Sequence, residues 1–233
     1  MDVEIWSDVV CPWCYIGKRR FEAALAGFAH ADAVRVTWRS FELDPSAPQR
    51  YPGTLTDLLA TKMRTTPEGA AAANAQLTEL AAADGLTYHL DKAQPGNTFD
   101  AHRLIHLAAA HGCQDAIKEA LLHAYFTAGA AIGDRETLVA IVAAAGLPAD
   151  EARAVLASDA YADEVRADER RAVGFGITGV PFVVIDERYG VSGAQPVAVF
   201  QETLEAAWAA AHPLVMAGGA GSAESCDGES CAL

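Results

Sequence analysis

The sequence predicts an α/β protein: a four-stranded mixed sheet made from a βαβ half and a ββα half, with a large all-helical insert between them. Three observations lead there. Strand-like runs fall near the two ends of the chain, at residues 2–7, 34–43 and 182–192. Residues 54–173 between them repeat apolar positions at helical spacing and are rich in alanine, the best helix former. A cysteine pair, Cys11-Pro12-Trp13-Cys14, stands where the first strand gives way to the first helix.

Residues 2–7 carry Val3, Ile5 and Trp6 in imperfect alternation, which fits a strand covered on both faces. Tyr15, Phe21, Leu25 and Phe28 then recur at helical spacing, so a helix is expected from Pro12 to about Phe28. Proline suits its first turn, where a missing N–H costs nothing. Residues 34–43 alternate apolar and polar side chains and read as the clearest strand. A right-handed crossover is expected to join these pieces. Pro45, Pro48, Pro52 and Gly53 break regular structure after it. Helices are predicted near 54–65, 67–84, 98–111, 114–129, 134–145, 149–157 and 159–173. Thr66 is the expected cap before Pro67, and Asn97 the expected cap of an Asn-x-x-Asp box with Asp100. Phe182–Ile185 and Tyr189–Ser192 read as a hairpin, followed by a helix from about Pro196 to Ala211. The expected division is residues 1–45 and 174–212 for the sheet domain, 46–173 for the helical insert, and 213–233 for a flexible tail of small and polar residues.

A net charge of −14 repels polyanions, so nucleic acid is not an expected partner. The one dense basic run, Lys18-Arg19-Arg20, reads as a solvated helix face. Residues 1–10 lack the basic start and unbroken apolar run of a secretory signal, and no stretch has the makings of a membrane span. A cytoplasmic protein with no membrane partner is therefore expected. In a reducing compartment, paired cysteines are more often catalytic, sensing or metal-binding than structural.

Two cysteines separated by two residues at a helix start can close a small disulfide. Cys11 is expected to lie beside unpaired N–H groups at the positive end of the helix dipole, which favours the reactive thiolate. Cys14 is then placed to attack a mixed disulfide and release the partner. A zinc site needs two further Cys or His ligands, and none stands nearby at suitable spacing, so neither a metal nor a cofactor is expected. Val180-Pro181 precedes the third strand. In a sheet joined as above this bend faces the Cys11 turn, where a cis peptide shapes a groove and the Val180 backbone can pair with an extended chain.

These motifs resemble the DsbA-like thioredoxin-fold family, in particular its cytoplasmic FrnE-like branch. The resemblance is carried by residues 8–17 around the cysteines, 97–104 (Asn-Thr-Phe-Asp-Ala-His-Arg-Leu), 176–182 around Pro181, and 192–196 (Ser-Gly-Ala-Gln-Pro). It implies a thioredoxin fold with an inserted helical domain, a nucleophilic Cys11, a cis-proline at Pro181, and thiol–disulfide exchange with Pro12, Trp13 and Val180 touching the substrate. Implied partners are protein thiols and disulfides, or a small thiol such as glutathione. Two alternatives remain. One is a glutathione-dependent isomerase or transferase of the kappa type, in which a serine typically stands where Cys11 stands here. The other is a redox-regulated binding protein, or holdase. The tail cysteines depart from secreted members of the family.

Further candidates carry weaker signals. Cys226 and Cys231, with Gly228 between them, can form a compact disulfide loop. Tethered by a chain spanning roughly 20 Å, this pair is a candidate to exchange electrons with Cys11 and Cys14. Glu4 and Asp8 flank the first strand as candidate proton acceptors, Asp8 alternatively as a turn cap. Ser192, Gly193, Ala194 and Gln195 can offer backbone N–H groups to the carboxylate of a small thiol. His102 and His106 share a helix face but lack a carboxylate partner in sequence, and read as packing or surface residues. Cys113 reads as a partly buried, unreactive thiol.

Overall fold

In the computed structural model, which describes residues 1–213, β1 (Asp2–Ser7) runs through the middle of the molecule. It pairs in parallel with β2 (Arg35–Ser40) and antiparallel with β3 (Phe182–Ile185), which in turn pairs antiparallel with β4 (Tyr189–Ser192). The order is β2-β1-β3-β4, so strands from both ends of the chain meet at β1. Ile5 lies opposite Trp38 on one side and Val183 on the other. β2 is shorter than its alternation suggests. β1 ends at Ser7, the partner of Ser40, so Phe41, Glu42 and Leu43 have no strand to pair with.

The helices divide between the sheet faces according to the pleat. Val3 and Ile5 point toward α1 (Pro12–Ala26) and α9 (Val197–Ala211), where Phe21 meets Phe200 edge to face at 5.9 Å. Glu4 and Trp6 point the other way, toward the helix later in the chain that carries Asp168 and Arg171. The insert begins with α2 (Leu55–Lys62), α3 (Pro67–Ala83), α4 (Phe99–Ala110), α5 (Gln114–Phe126) and α6 (Arg135–Ala144). Then come α7 (Ala149–Leu156) and α8 (Ala162–Gly174) itself. Both faces of β1 are thus covered. The outer edge of β2 is closed by Gln114, whose side-chain amide exchanges two 2.9 Å hydrogen bonds with the Trp38 backbone. Among the described residues no helix is long and apolar enough to cross a membrane.

Two local expectations are corrected. Asn97 accepts from the Phe99 N–H at 2.9 Å, but the cap position falls to Thr98, and Asp100 instead binds Arg103 and Arg135. The run Lys18-Arg19-Arg20 is not a solvated face. Lys18 is buried, and its ammonium binds Glu22, Asp115 and Glu119; Arg19 binds Glu119, and Arg20 binds Asp84. The acidic partners at 84, 115 and 119 come from the helices inserted between β2 and β3. Only the folded chain brings them alongside α1. The tail pair Cys226 and Cys231 lies outside the described residues.

Candidate active site

Cys11 occupies the N-cap position of α1 with extended backbone angles, and Pro12 is the first helical residue. The chain turns sharply there: the Cys14 N–H donates back to the Cys11 carbonyl at 3.0 Å. Both side chains are free thiols and both are buried, Cys11 4% exposed and Cys14 1%. Across from Cys11 stands the cis Val180–Pro181 peptide, and the Cys11 thiol donates to the Val180 carbonyl at 3.4 Å.

Three contacts hold that bend against the sulfur. Gly17 has no Cβ; one built there would lie 2.9 Å from Pro181 Cγ, so glycine permits the close approach. The Gly193 N–H donates to the Pro181 carbonyl at 2.8 Å. Arg20, anchored on Asp84, donates to the Ala194 carbonyl at 2.6 Å. Residues 192–195 thus brace Pro181. Their backbone is partly spent in doing so, since the Gln195 N–H also turns inward, to the Gly193 carbonyl at 2.9 Å. On the solvent side, Trp13 is 43% exposed beside an apolar groove of about 410 Å³ lined by Val10, Pro12, Leu59, Met63 and Leu77.

The electrostatics couple the two sulfurs. The hydrogen bond of Cys11 with Cys14, together with burial, pushes the Cys11 thiol well above the ordinary range. Burial also opposes ionisation of Cys14, but the Cys11 thiol, the Lys118 ammonium and the Ser7 hydroxyl outweigh it and bring Cys14 below the usual thiol value. The two sulfurs behave as one site: a negative charge on one holds the proton on the other. The helix start does lie beneath Cys11, as expected. A buried ammonium, Lys118, also acts on the site from the Cys14 side.

Lys118 on α5 is the residue that sequence reasoning missed. It is 1% exposed, donates to the Ser7 carbonyl at 3.3 Å, and lies 5.7 Å from the centre of the Trp38 ring. A signal was present. Lys118 shares a helix face with Leu121, Leu122 and Tyr125, so its spacing already placed a lysine on the apolar stripe.

The two acidic candidates divide. Glu4 is buried but engaged by Arg39 and Arg171, on the α8 face of the sheet. Asp8 lies at the turn before Cys11 and is fully enclosed. Its carboxylate accepts from the Val9 N–H at 2.7 Å, the Leu43 N–H at 2.8 Å and His102 at 3.3 Å. Burial opposes its ionisation, but His102, the Leu43 N–H and the Lys118 ammonium hold it below the usual carboxylate range. His102 is therefore a buried partner of the site's turn, and His106 meets Ser40 and Asp168. Cys113 is half-buried at the start of α5, with its sulfur on the Ala108 carbonyl.

The strand order and the dithiol facing a proline bend define a class: thiol–disulfide oxidoreductases built on the thioredoxin fold. The model of the DSBA-like thioredoxin domain matches residues 2–205. The chain is 48% identical to the probable DsbA oxidoreductase SCO1869 from Streptomyces coelicolor, covering 100% of this chain and 99% of that one with a TM-score of 0.87. It is 27% identical to YwbO of Bacillus subtilis over 205 residues, 87% of this chain and 94% of that protein. The fold is also shared with the cytosolic disulfide reductase DsbM from Pseudomonas aeruginosa, solved with GSH (TM-score 0.62, 16% identity, 88% of this chain and 98% of that one). The chain belongs to the DSBA-like thioredoxin domain family and is a DsbA-like thiol–disulfide oxidoreductase.

Proposed function

We propose that the chain cycles Cys11 and Cys14 between dithiol and disulfide in exchange with protein thiols, and that Cys11 is the sulfur that meets the partner. One observation carries this reading: Cys11 faces the Val180 carbonyl at the proline bend, next to Trp13 and the apolar groove, while Cys14 lies behind it against the core. In the oxidising direction a partner thiolate attacks Cys11 of the disulfide, and Cys14 leaves as a thiolate. A second partner thiol then attacks the mixed disulfide and Cys11 leaves, so the partner loses two electrons and the enzyme gains them. In the reducing direction the steps run backward. An apolar segment beside the partner cysteine fits the groove, and a small thiol such as glutathione serves as the other electron partner. Pro12, Trp13, Val180 and Pro181 form the substrate contacts in this reading.

Insulin reduction by dithiothreitol, followed as turbidity, is the test. Cys11→Ser is expected to abolish the acceleration, and full activity in that variant overturns the reading. We further propose that Cys226 and Cys231 relay electrons to the Cys11–Cys14 pair, a reading supported by their spacing around Gly228. The double variant Cys226→Ser/Cys231→Ser is expected to slow turnover on protein disulfides several-fold; unchanged turnover in both reduction and oxidation removes the relay.

A further inference from the structure

Tyr88 reaches the dithiol from the loop between α3 and α4. Its hydroxyl donates to the Pro12 carbonyl at 2.7 Å, inside the Cys11–Cys14 turn. The ring is 4% exposed and stacks on Phe126 at 4.7 Å between centres, with the Tyr15 ring of α1 at 6.1 Å. The loop is pinned on both sides of it. The His89 N–H donates to the Phe126 carbonyl at 2.7 Å, and the Thr127 hydroxyl to the Thr87 carbonyl at 2.7 Å. A phenylalanine would fill the same stack with no buried hydroxyl to satisfy. Pro12 is the first helical residue, so its carbonyl has a helical donor four residues on and needs no second one.

The bond therefore acts on the peptide it touches. The Pro12 carbonyl and the Trp13 N–H belong to one trans peptide and point in opposite directions. Cys11 is the N-cap of α1, and an N-cap side chain meets the N–H groups of the second and third helical residues, here Trp13 and Cys14. The Cys14 N–H is given to the Cys11 carbonyl, while the Trp13 N–H has no acceptor among the described residues. It is the donor left for a charged Cys11 sulfur.

We propose that Tyr88 is a positioning residue for the Cys11 thiolate, acting through the Pro12–Trp13 peptide. This rests on the redox reading above. The hydroxyl fixes that peptide and draws electron density toward its carbonyl, so the Trp13 N–H binds the sulfur more strongly once the thiol proton has gone to solvent. Burial holds the Tyr88 hydroxyl well above the ordinary phenol range, so it stays a donor at neutral pH. The other titratable groups facing Cys11 or Tyr88 are Cys14, Tyr15 and Arg19 of α1, Asp8 before it, and Lys118 of α5.

The test uses the full chain with Cys14, Cys113, Cys226 and Cys231 changed to serine, so that Cys11 alone titrates. Its thiolate is followed by far-ultraviolet absorbance and by alkylation with iodoacetamide. Tyr88→Phe is expected to raise the titration midpoint by about half a pH unit and to slow alkylation at pH 7 about threefold. A ring-fluorinated tyrosine at position 88, a stronger donor of nearly the same shape, is expected to move both in the opposite direction. A hydroxyl that only fills its place leaves the midpoint unmoved in both proteins or moves it the same way in both, and either outcome overturns the proposal. Should Tyr88→Phe fail to fold, the fluorinated protein decides: a lowered midpoint supports the proposal, and an unmoved or raised one overturns it. Insulin reduction by Cys11→Ser separates the two readings. Its loss together with unmoved midpoints overturns the role of Tyr88 alone, whereas its persistence overturns the redox reading and this proposal with it.

Discussion

Two lysines stand near the same tryptophan and behave in opposite ways. Lys18 of α1 lies 5.8 Å from the Trp38 ring centre and Lys118 of α5 lies 5.7 Å from it, and both are buried. Lys18 is ringed by Glu22, Asp115 and Glu119. Burial works against its charge, but the three carboxylates win and raise it above the ordinary lysine value. Lys118 has a carbonyl, a ring, two thiols and the Asp8 carboxylate beyond salt-bridge distance, and burial wins. Lys18 fastens α1 to the inserted helices, whereas Lys118, among the described residues, has no carboxylate in salt-bridge contact and only the attraction of Asp8 from farther off. Burial alone does not set the direction in which a lysine shifts; the counter-charge decides it.

The pH dependence of stability gives the sharpest contrast. Below pH 8 Lys118 is protonated in both folded and unfolded chains, and its burial penalty is fully present. From about pH 8 to 10.5 the unfolded chain binds the extra proton, so this residue's contribution becomes more favourable as pH rises. Lys118→Met is therefore expected to raise the unfolding free energy at pH 7 by up to about 3 kcal/mol, the gain fading toward pH 10.5. Lys18 carries the opposite sign. Its raised value gives stability that is complete below the unfolded lysine value and lost as pH climbs through the folded one. Denaturant titrations across this pH range check both slopes, and parallel slopes in the two variants break the comparison.

Lys18→Met is expected to cost about 2 kcal/mol at pH 7, less than for a fully buried pair because the three carboxylates reach water. Its insulin-reduction activity should stay within about twofold of native, since about 0.4 kcal/mol separates the two. A large loss of activity with little loss of stability would assign Lys18 to the dithiol and erase the distinction.

The smallest effect concerns the opposite wall of the site. Gly17→Ala places a methyl 2.9 Å from Pro181 Cγ. Moving Pro181 aside is expected to cost about 1 kcal/mol of stability. Turnover should fall several-fold while its pH dependence stays unchanged. A melting curve and a pH–rate profile measure the two together.

Much of this was legible in the residues, for reasons that can be stated. The helix beginning at Pro12 and the hairpin at 182–192 are encoded within a few positions: a proline at a helix start, alternation across a pleat, a turn between two β-rich runs. Their bounds came within a few residues. Cys11-Pro12-Trp13-Cys14 announced its chemistry by spacing alone. The errors lie where long range decides. Lys18-Arg19-Arg20 looked like a wet helix face because, apart from Glu22, its acidic partners stand 64 to 101 residues away. Glu4 looked able to reach the sulfurs, but the pleat turned it to the other face of the sheet, where Arg39 and Arg171 hold it.

By itself the sequence determined the kind of chemistry and the local scaffold, because a two-residue spacing and a helical or strand period are properties of adjacent residues. Tertiary structure decided which buried groups face the dithiol. Lys118 is 111 positions from Ser7 in the chain and 3.3 Å from it in space. Electrostatic energy depends on separation and on exclusion of water, and both exist only once the helices inserted after β2 close over β1.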